Sequence, residues 1–205
     1  LGFSVEMAGS GTAATAPAFD PLLQACGMAA ASLATPNRVE YTPISSAIKS
    51  ITANYYDDGI CHKMLGSRGS FSLSAKAGEI PTFKFDFTGL DGGVATGTTT
   101  GTYSAFKTPV PVTKANVIDI TIGATYAAGA LTGGTVYPST GMDLDIGNAV
   151  SFTPLLSSES VEITDREVKG SFSLDLTAAQ EVTFMGIVKA TTTQSIAIRL
   201  ETGSG

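Results

Sequence analysis

Short runs of alternating polar and apolar residues recur along the whole chain, and this period of two is its strongest structural signal. The apolar members are mostly Phe, Ile, Val and Leu, accompanied by Thr, and these residues suit a pleated, half-buried surface. Because no long helical periodicity interrupts the runs, they predict an antiparallel all-β protein with two packed sheets. The runs are Phe3 to Met7, Ser70 to Ala75, Thr82 to Thr88, Asn116 to Ile122, Ser160 to Thr164, Ser171 to Leu176 and Ser195 to Leu200.

One segment, Ala18 to Ala34, has apolar residues every three or four positions and predicts a helix, with Phe19 to Ala25 as its clearest part. Asp20 is expected to cap the helix, and Pro21 stands in the first turn, where proline is tolerated. Gly27 is either a C-terminal stop or a weak interior position. The expected architecture is therefore an all-β fold with one short flanking α-helix.

The connections between the runs carry their own signals. Asp57-Asp58-Gly59 stands between apolar residues and predicts a tight β-hairpin. Gly89 to Pro111 and Ala127 to Gly141 are rich in Gly and Thr, and both are predicted to be loops. Loops of this length are unusual in a compact domain, so we expect them to be adaptable contact segments.

The string Gly-Ser-Phe-Ser-Leu occurs twice, at Gly69 to Leu73 and at Gly170 to Leu174. Further matching elements in the same order indicate a possible internal duplication of β units 41–90 and 152–200 within one domain, 1–205. Two units are too few for a stacked-repeat solenoid. Period two places the apolar residues of both strings toward the core, namely Phe71, Leu73, Phe172 and Leu174. The matching continues in Glu79 to Phe83 and Glu181 to Phe184.

Composition narrows the functional classes. Charged residues make up 15% of the 205 residues, there is one His, and Trp is absent. So few ionisable groups argue against an acid–base enzyme, which needs clustered titratable residues. A net charge of -6 argues against gripping nucleic acid, since phosphate neutralisation needs Lys and Arg. The same charge suits a surface that DNA slides past without binding.

The sequence has few features that would indicate a redox role, secretion or insertion into a membrane. Cys26 and Cys61 are both expected to be buried free thiols, in a helix and a strand respectively. The sequence has no N-glycosylation site, no signal peptide at Leu1 to Ser4 and no apolar run long enough to span a bilayer. Because the chain starts without Met inside an alternating run, we expect it to be a fragment or a trimmed product of a longer protein.

Several motifs resemble cofactor, metal or catalytic sites, but a structural role explains each of them better. Gly9 to Ala14 matches the outline of a dinucleotide-binding turn, but no parallel βαβ pattern follows. Asp143 to Asn148 starts like a calcium loop without its later ligands. Cys61-His62 should point to opposite faces of one strand. Asp57-Asp58 belongs to the hairpin turn, and Asp165-Arg166-Glu167 has the composition of a tight charged turn. The sequence therefore predicts no catalytic, cofactor or metal site.

Landmark Gly, Pro and Leu residues occur in a fixed order over well over half of the chain. They lie in Gly9 to Pro17, Pro21 to Gly27, Tyr41 to Pro43, Asp58 to Gly69, Ile80 to Leu90, Gly147-Asn148, Ser160 to Arg166 and Gly170-Ser171. In this order the segments resemble the tail tube (major tail) proteins of long-tailed bacteriophages. The middle of the chain, Asp91 to Gly141, carries none of the resemblance.

The resemblance implies a fold and an assembly. Tail tube subunits are β-sandwich or barrel domains with a flanking helix, and their sheets join side by side into rings that stack as a hollow tube. It implies a hexameric ring, or a trimeric one if each chain holds two units. It also implies tape measure, tail terminator and baseplate proteins as partners, passage of DNA without specific binding, no membrane, and location in the virion after assembly in the host cytoplasm. The family has no catalytic residues to transfer.

Two other classes remain open at this stage. The first is an adhesin- or fibre-like β-sandwich that binds carbohydrate or protein, although such sugar sites usually expose Trp or Tyr platforms and this chain has no Trp. The second is an enzyme on a β scaffold. Imaging separates the tube subunit from both, because only the tube subunit is expected to form rings or hollow filaments.

Overall fold

A computed structural model describes residues 1–114 and 116–200 and is mostly β. This part of the chain contains two helices, α1 (Asp20–Ala25) and α2 (Ala178–Lys189). The strands are β1 (Gly2–Glu6), β2 (Met28–Ala34), β3 (Asn37–Pro43), β4 (Ile51–Asp57), β5 (Ile60–Lys76), β6 (Thr82–Thr96), β7 (Val117–Ile122), β8 (Thr125–Ala127), β9 (Ala130–Thr132), β10 (Thr135–Tyr137), β11 (Ser139–Asp145), β12 (Asn148–Pro154), β13 (Glu159–Arg166), β14 (Lys169–Leu174) and β15 (Ile196–Leu200).

The predicted all-β class is confirmed. Each alternating run identified in the sequence overlaps a strand and extends at most two residues beyond it. Strand pairs such as β1 with β6 and β12 with β13 run antiparallel. The chain forms two compact units. The first comprises Leu1–Leu73, Thr82–Pro109 and Leu144–Lys169. The described residues of the second are 74–81, 110–114, 116–143 and 170–200.

The first unit is built on a sheet in which β1, β6 and β5 lie side by side and β4 pairs with the start of β5. Alternation along β5 and β6 sends Phe71, Phe83, Phe85 and Phe87 to one face, where they are buried. Their rings pack against one another at centroid distances of 5.7–6.0 Å, and helix α1 covers this face. Aromatic contacts of this kind add to the free energy gained by burying the rings.

Two hairpins complete the first unit. Strands β2 and β3 pair in register from Met28↔Pro43 to Ala34↔Asn37, and β12–β13 lies against β6. Arg68 of β5 joins the sheet to β13 and to the segment before β4, because its guanidinium donates hydrogen bonds to the carbonyl oxygens of Val161 and Ile48.

The second unit has its own core. Strand β7 lies between β10 and β15, and Ile120, Ile122 and Tyr137 are buried there. Half-buried side chains from β14 and α2 pack against these residues. They include Phe172 and Leu174, as predicted, and Phe184, whose ring meets Tyr137 edge-on at a centroid distance of 6.3 Å. In the first unit, Phe71 is buried and Leu73 packs against the core, also as predicted.

The predicted helix over Ala18 to Ala34 is wrong beyond Ala25. Cys26 is the C-cap of α1, Gly27 follows with φ +78°, and β2 begins at Met28. Glycine is suited to this left-handed position after a helix. The capping role predicted for Asp20 is also wrong, since Phe19 is the N-cap. The Asp20 carboxylate instead accepts hydrogen bonds from Gln24 Nε2 at 2.6 Å and Tyr41 Oη at 2.7 Å.

Both predicted loops contain strands. Within Gly89 to Pro111, β6 continues to Thr96, so only the later part is a loop. A Cβ at Gly92 would lie 2.8 Å from Lys63 Cγ, and one at Gly89 would collide with Met64 and Ser67. The glycines therefore make room for side chains of β5 and do not mark a loop. Within Ala127 to Gly141, strands β9 and β10 form and β11 begins.

Helix α2 was not predicted, and it includes Glu181 to Phe184, which the sequence matches to the β6 segment Glu79 to Phe83. Its start has a clear local signal, because Thr177 and Gln180 form a capping box. The helix carries apolar residues on its exposed side as well as on its packed side, so no single apolar stripe identifies it.

Candidate assembly surface

A three-stranded extension of the first sheet exposes most of its side chains. It consists of β4, residues 60–66 of β5 and residues 89–96 of β6, and we call it the arm. Large apolar or aromatic residues are exposed on it, and such residues on a protein surface indicate a contact site when they cluster. They are Tyr55, Tyr56, Ile60, Leu65 and Val94.

The end of the arm is the hairpin that the sequence predicted. Asp57 pairs with Ile60, and the two turn residues between them, Asp58 and Gly59, have φ of +43° and +81°. Positive φ at both positions is the type I′ geometry that favours Asp-Gly. The Gly97 amide donates a hydrogen bond to the Gly59 carbonyl oxygen at 2.8 Å, which ties the end of β6 to the turn.

The two faces of the arm carry different side chains. On one face, the rings of Tyr55 and His62 lie 6.2 Å apart. On the other, Tyr56 pairs in register with Cys61, and their side-chain hydrogen bond raises the pKa of Tyr56. Cys61 and His62 thus point to opposite faces, as alternation requires. Cys61 is a free thiol but only half-buried, so the prediction of a fully buried thiol holds for Cys26 alone.

The hairpin β12–β13 ends in two exposed leucines. Pro154 pairs with Glu159, and the Leu155 amide donates to the Ser158 carbonyl oxygen at 2.8 Å across the turn. Leu156 is fully exposed, and Leu155 is 59% exposed. We call these two residues the leucine tip. Turns favour Gly, Asn, Asp, Pro and Ser, so the leucines are not required by the turn itself.

The loop that follows the arm exposes two aromatic residues. Tyr103 is 81% exposed and Phe106 is 63% exposed, and a turn hydrogen bond joins the Phe106 amide to the Tyr103 carbonyl oxygen at 3.0 Å. Residues 105–107 form one wall of a groove of about 440 Å³, whose other walls are β1 and the start of α1. We call it the α1 groove.

A hydrogen-bond network around Asn148 holds the first unit together. The Asn148 side-chain amide donates to the carbonyl oxygens of Cys26 at 2.7 Å and Gly69 at 2.9 Å. Its oxygen accepts from Arg166 Nε at 2.8 Å, and Arg166 Nη2 donates to the Gly27 carbonyl oxygen at 3.0 Å. Arg166 was predicted to lie in a charged surface turn; it instead ends β13 and fixes the end of helix α1.

The same region contains a strongly perturbed thiol. Burial raises the pKa of Cys26 to about 12, against an ordinary value of 9.0, although the nearby Arg166 cation acts in the opposite direction. Burial also raises the pKa of Tyr41, and its hydrogen bond to Asp20 adds to that shift. These shifts arise from packing within the first unit, and they do not identify a reactive group.

The motifs that resemble cofactor or metal sites form turns, an ion pair and a local hydrogen bond instead. Gly9 to Ala14 forms bends and a turn before α1, and the preceding β1 pairs antiparallel, unlike the strand of a dinucleotide-binding unit. Asp143 lies 3.6 Å from Lys76 Nζ in an exposed ion pair, and the Asp145 carboxylate accepts a hydrogen bond from the Gly147 amide. Across residues 1–114 and 116–200, no group of three His, Cys, Asp or Glu could hold a metal.

These features define a class of protein. The described residues combine a β fold with an exposed arm, a leucine tip and an aromatic loop, which suits a structural protein that associates with other chains. No helix in this part of the chain has the length and apolar character needed to cross a membrane.

Comparison with known families identifies the class. The model of the family "Phage tail tube protein" matches residues 1–205, so the chain belongs to that family, as its landmark residues predicted. It is a structural subunit of a phage tail tube and a component of the virion tail that assembles with itself and with other tail proteins. Nothing favours the adhesin-like alternative. No curated protein matches the chain.

Proposed function

We propose that the subunit forms closed rings by pairing the edge of its first sheet with the sheet of a neighbour, and that the rings stack into the tube. The observation that carries this proposal is the state of the sheet edges. Among the described residues, β1 pairs only with β6, and β4 pairs only with β5. An open edge has unpaired N–H and C=O groups that another chain can satisfy. A head-to-tail contact of this kind repeats until its rotation closes a ring.

Six copies per ring are favoured over three. Each compact unit is assembled from three separated segments of the chain, so the units alternate along the sequence. A tandem duplication would be expected to give two continuous units instead. This interleaving supports one tube domain over 1–205, with the repeat of 41–90 in 152–200 as an internal feature. A chain that holds one tube domain contributes one sixth of a ring with six-fold character.

The proposed tube is a passage for DNA. The chain carries a net charge of -6, and like charges keep the phosphate backbone from adhering to the protein. DNA would then pass without specific binding. The proposed partners are the tape measure, tail terminator and baseplate proteins, and assembly would take place in the host cytoplasm before the tube becomes part of the virion.

The arm and the loop after it are the proposed contact segments between subunits or between rings. The arm has exposed side chains on both faces, and Tyr103 and Phe106 are mostly exposed in the described part of the chain. Burying large apolar side chains of this kind against another chain releases water and stabilises association.

Electron microscopy of the purified chain tests the proposal. Negatively stained samples should contain rings or hollow filaments, and averaged end views should show six single lobes. Three copies with paired lobes would instead support a duplicated tube unit. A chain that stays monomeric at high concentration would contradict the assembly mode proposed here.

A further inference from the structure

The leucine tip is an apolar surface that the described residues of its own chain leave uncovered. Leu156 is fully exposed and Leu155 is 59% exposed, at the end of a hairpin that holds them away from the first core. Covering two neighbouring exposed leucines with another apolar surface would remove apolar area from water, which favours association. Because the paired strands β12 and β13 hold the leucine tip at the end of the hairpin, the tip can insert into a groove without first having to fold.

The α1 groove has the volume and the apolar lining to receive the leucine tip. Its volume of about 440 Å³ lies in the range of pockets that enclose a small ligand, which is enough for two leucine side chains. Its apolar lining includes Val5 of β1, Phe19 and Leu22 of α1, and Ala105 and Phe106 of the aromatic loop. Phe106 remains 63% exposed at the groove, so the wall it forms has apolar surface still to bury.

Charge at the two surfaces is complementary at one position. Glu159 is the first charged residue after the leucine tip, and it is paired with Pro154 at the base of the turn. Lys107 lies beside Phe106 in the wall of the α1 groove, which also includes Glu6 on the β1 side. A hairpin that enters the groove with its leucines leading can place Glu159 beside the wall that contains Lys107 and away from the wall that contains Glu6.

We propose that the leucine tip of one subunit inserts into the α1 groove of a second copy. This inference rests on the proposed function, because it specifies one contact by which the tube subunits associate. The contact is heterologous: one patch meets a different patch, so each subunit offers both halves and the association can continue from copy to copy. Glu159 pairs with Lys107 at the margin and sets the orientation of the hairpin.

Cross-linking between two differently labelled chains tests the contact. Both chains carry Cys61→Ser; one also carries Leu156→Cys and the other Ala105→Cys, while the native Cys26 thiol is buried and unreactive. The chains are mixed, assembled, checked for tubes by microscopy and treated with a short bis-maleimide. Covalent dimers should form in the mixture and not in either chain alone. Tubes without this dimer, or tip-to-tip dimers in the Leu156→Cys chain alone, would overturn the proposal.

Assembly measurements provide a second test that does not depend on a cross-link. Leu156→Ser should raise the critical concentration for tube formation by about tenfold or more while leaving the melting temperature of the subunit unchanged. Val168→Ser, a matched change at another exposed apolar residue of the first unit, should have little effect. Glu159→Lys and Lys107→Glu should each weaken assembly and should restore it together.

The outcomes separate the two levels of the proposal. Normal tubes at an unchanged critical concentration for Leu156→Ser would refute the insertion of the tip and leave the ring proposal intact. Equal effects of Leu156→Ser and Val168→Ser would also refute it, because the loss would not be specific to the tip. If the unmodified chain forms no rings or tubes, the proposed ring assembly itself fails.

Discussion

Asn148→Ala is the most informative single change to the first unit. The Asn148 side chain makes three hydrogen bonds that join parts of the chain far apart in sequence, to Cys26, Gly69 and Arg166. The Asn148 backbone amide, which donates to Ser70 Oγ, is unaffected by the substitution. The change therefore removes the cross-links of the network without altering strand pairing.

The expected loss of stability follows from these three bonds. A typical hydrogen bond contributes about 1 kcal/mol net, one to a charged group about 1.5–3 kcal/mol, and partners left unsatisfied in a partly buried site add to the loss. The sum is roughly 3–5 kcal/mol, a large part of the roughly 5–15 kcal/mol by which domains are stable. For a chain of this size the melting temperature should fall by roughly 6–20 °C.

Urea unfolding of the unassembled subunit, followed by far-ultraviolet circular dichroism, measures this loss. Asn54→Ala, the same substitution at an exposed position on the arm, is the matched control and should change stability by less than about 0.5 kcal/mol. A double-mutant cycle with Arg166→Ala should show coupling of about 1 kcal/mol or more. If Asn148→Ala is as stable as Asn54→Ala, the network does not hold the unit together and the reasoning fails.

Three further predictions concern the same unit. Gly27→Ala should destabilise the subunit by at least about 2 kcal/mol in urea unfolding, because alanine would have to keep the left-handed backbone conformation of Gly27 and its Cβ would collide with Arg166 Nη2. A loss below about 0.5 kcal/mol would contradict this reasoning. The pKa of the Cys26 thiol is about 12 in the folded protein and near 9.0 in the unfolded chain. The thiol therefore makes its full contribution to the free energy of unfolding below pH 9. That contribution is lost between pH 9 and 12, at up to about 1.4 kcal/mol per pH unit. Cys26→Ala should lack this part of the slope, and parallel stability profiles for the two proteins would show that Cys26 is not responsible. Hydrogen exchange by mass spectrometry should be fast over residues 97–111 of the isolated subunit and slow in tubes, since the segment is expected to become ordered on another chain; strong protection in the monomer would argue against a contact role.

The sequence by itself determined the features that depend on neighbouring residues. Alternation along β5 and β14 was enough to place Phe71 and Phe172 against a core, because a strand sends successive side chains to opposite sides. Asp58-Gly59 was enough for the hairpin of the arm, because only residues that tolerate positive φ fit that turn. The order of the landmark residues was enough for the resemblance to the tail tube family, which the family comparison confirmed.

Tertiary structure decided what depends on distant partners. The Ala-rich segment after Gly27 becomes strand β2 because β3 offers it a complete antiparallel partner, which overrides its local helical preference. Gly89 and Gly92 lie in a strand because side chains of β5 occupy the space where their own would be. Asn148 meets Cys26 across 122 positions, and no local pattern encodes that contact. Such pairings are fixed only when the whole core closes, since their hydrogen bonds are strong only where packing excludes water.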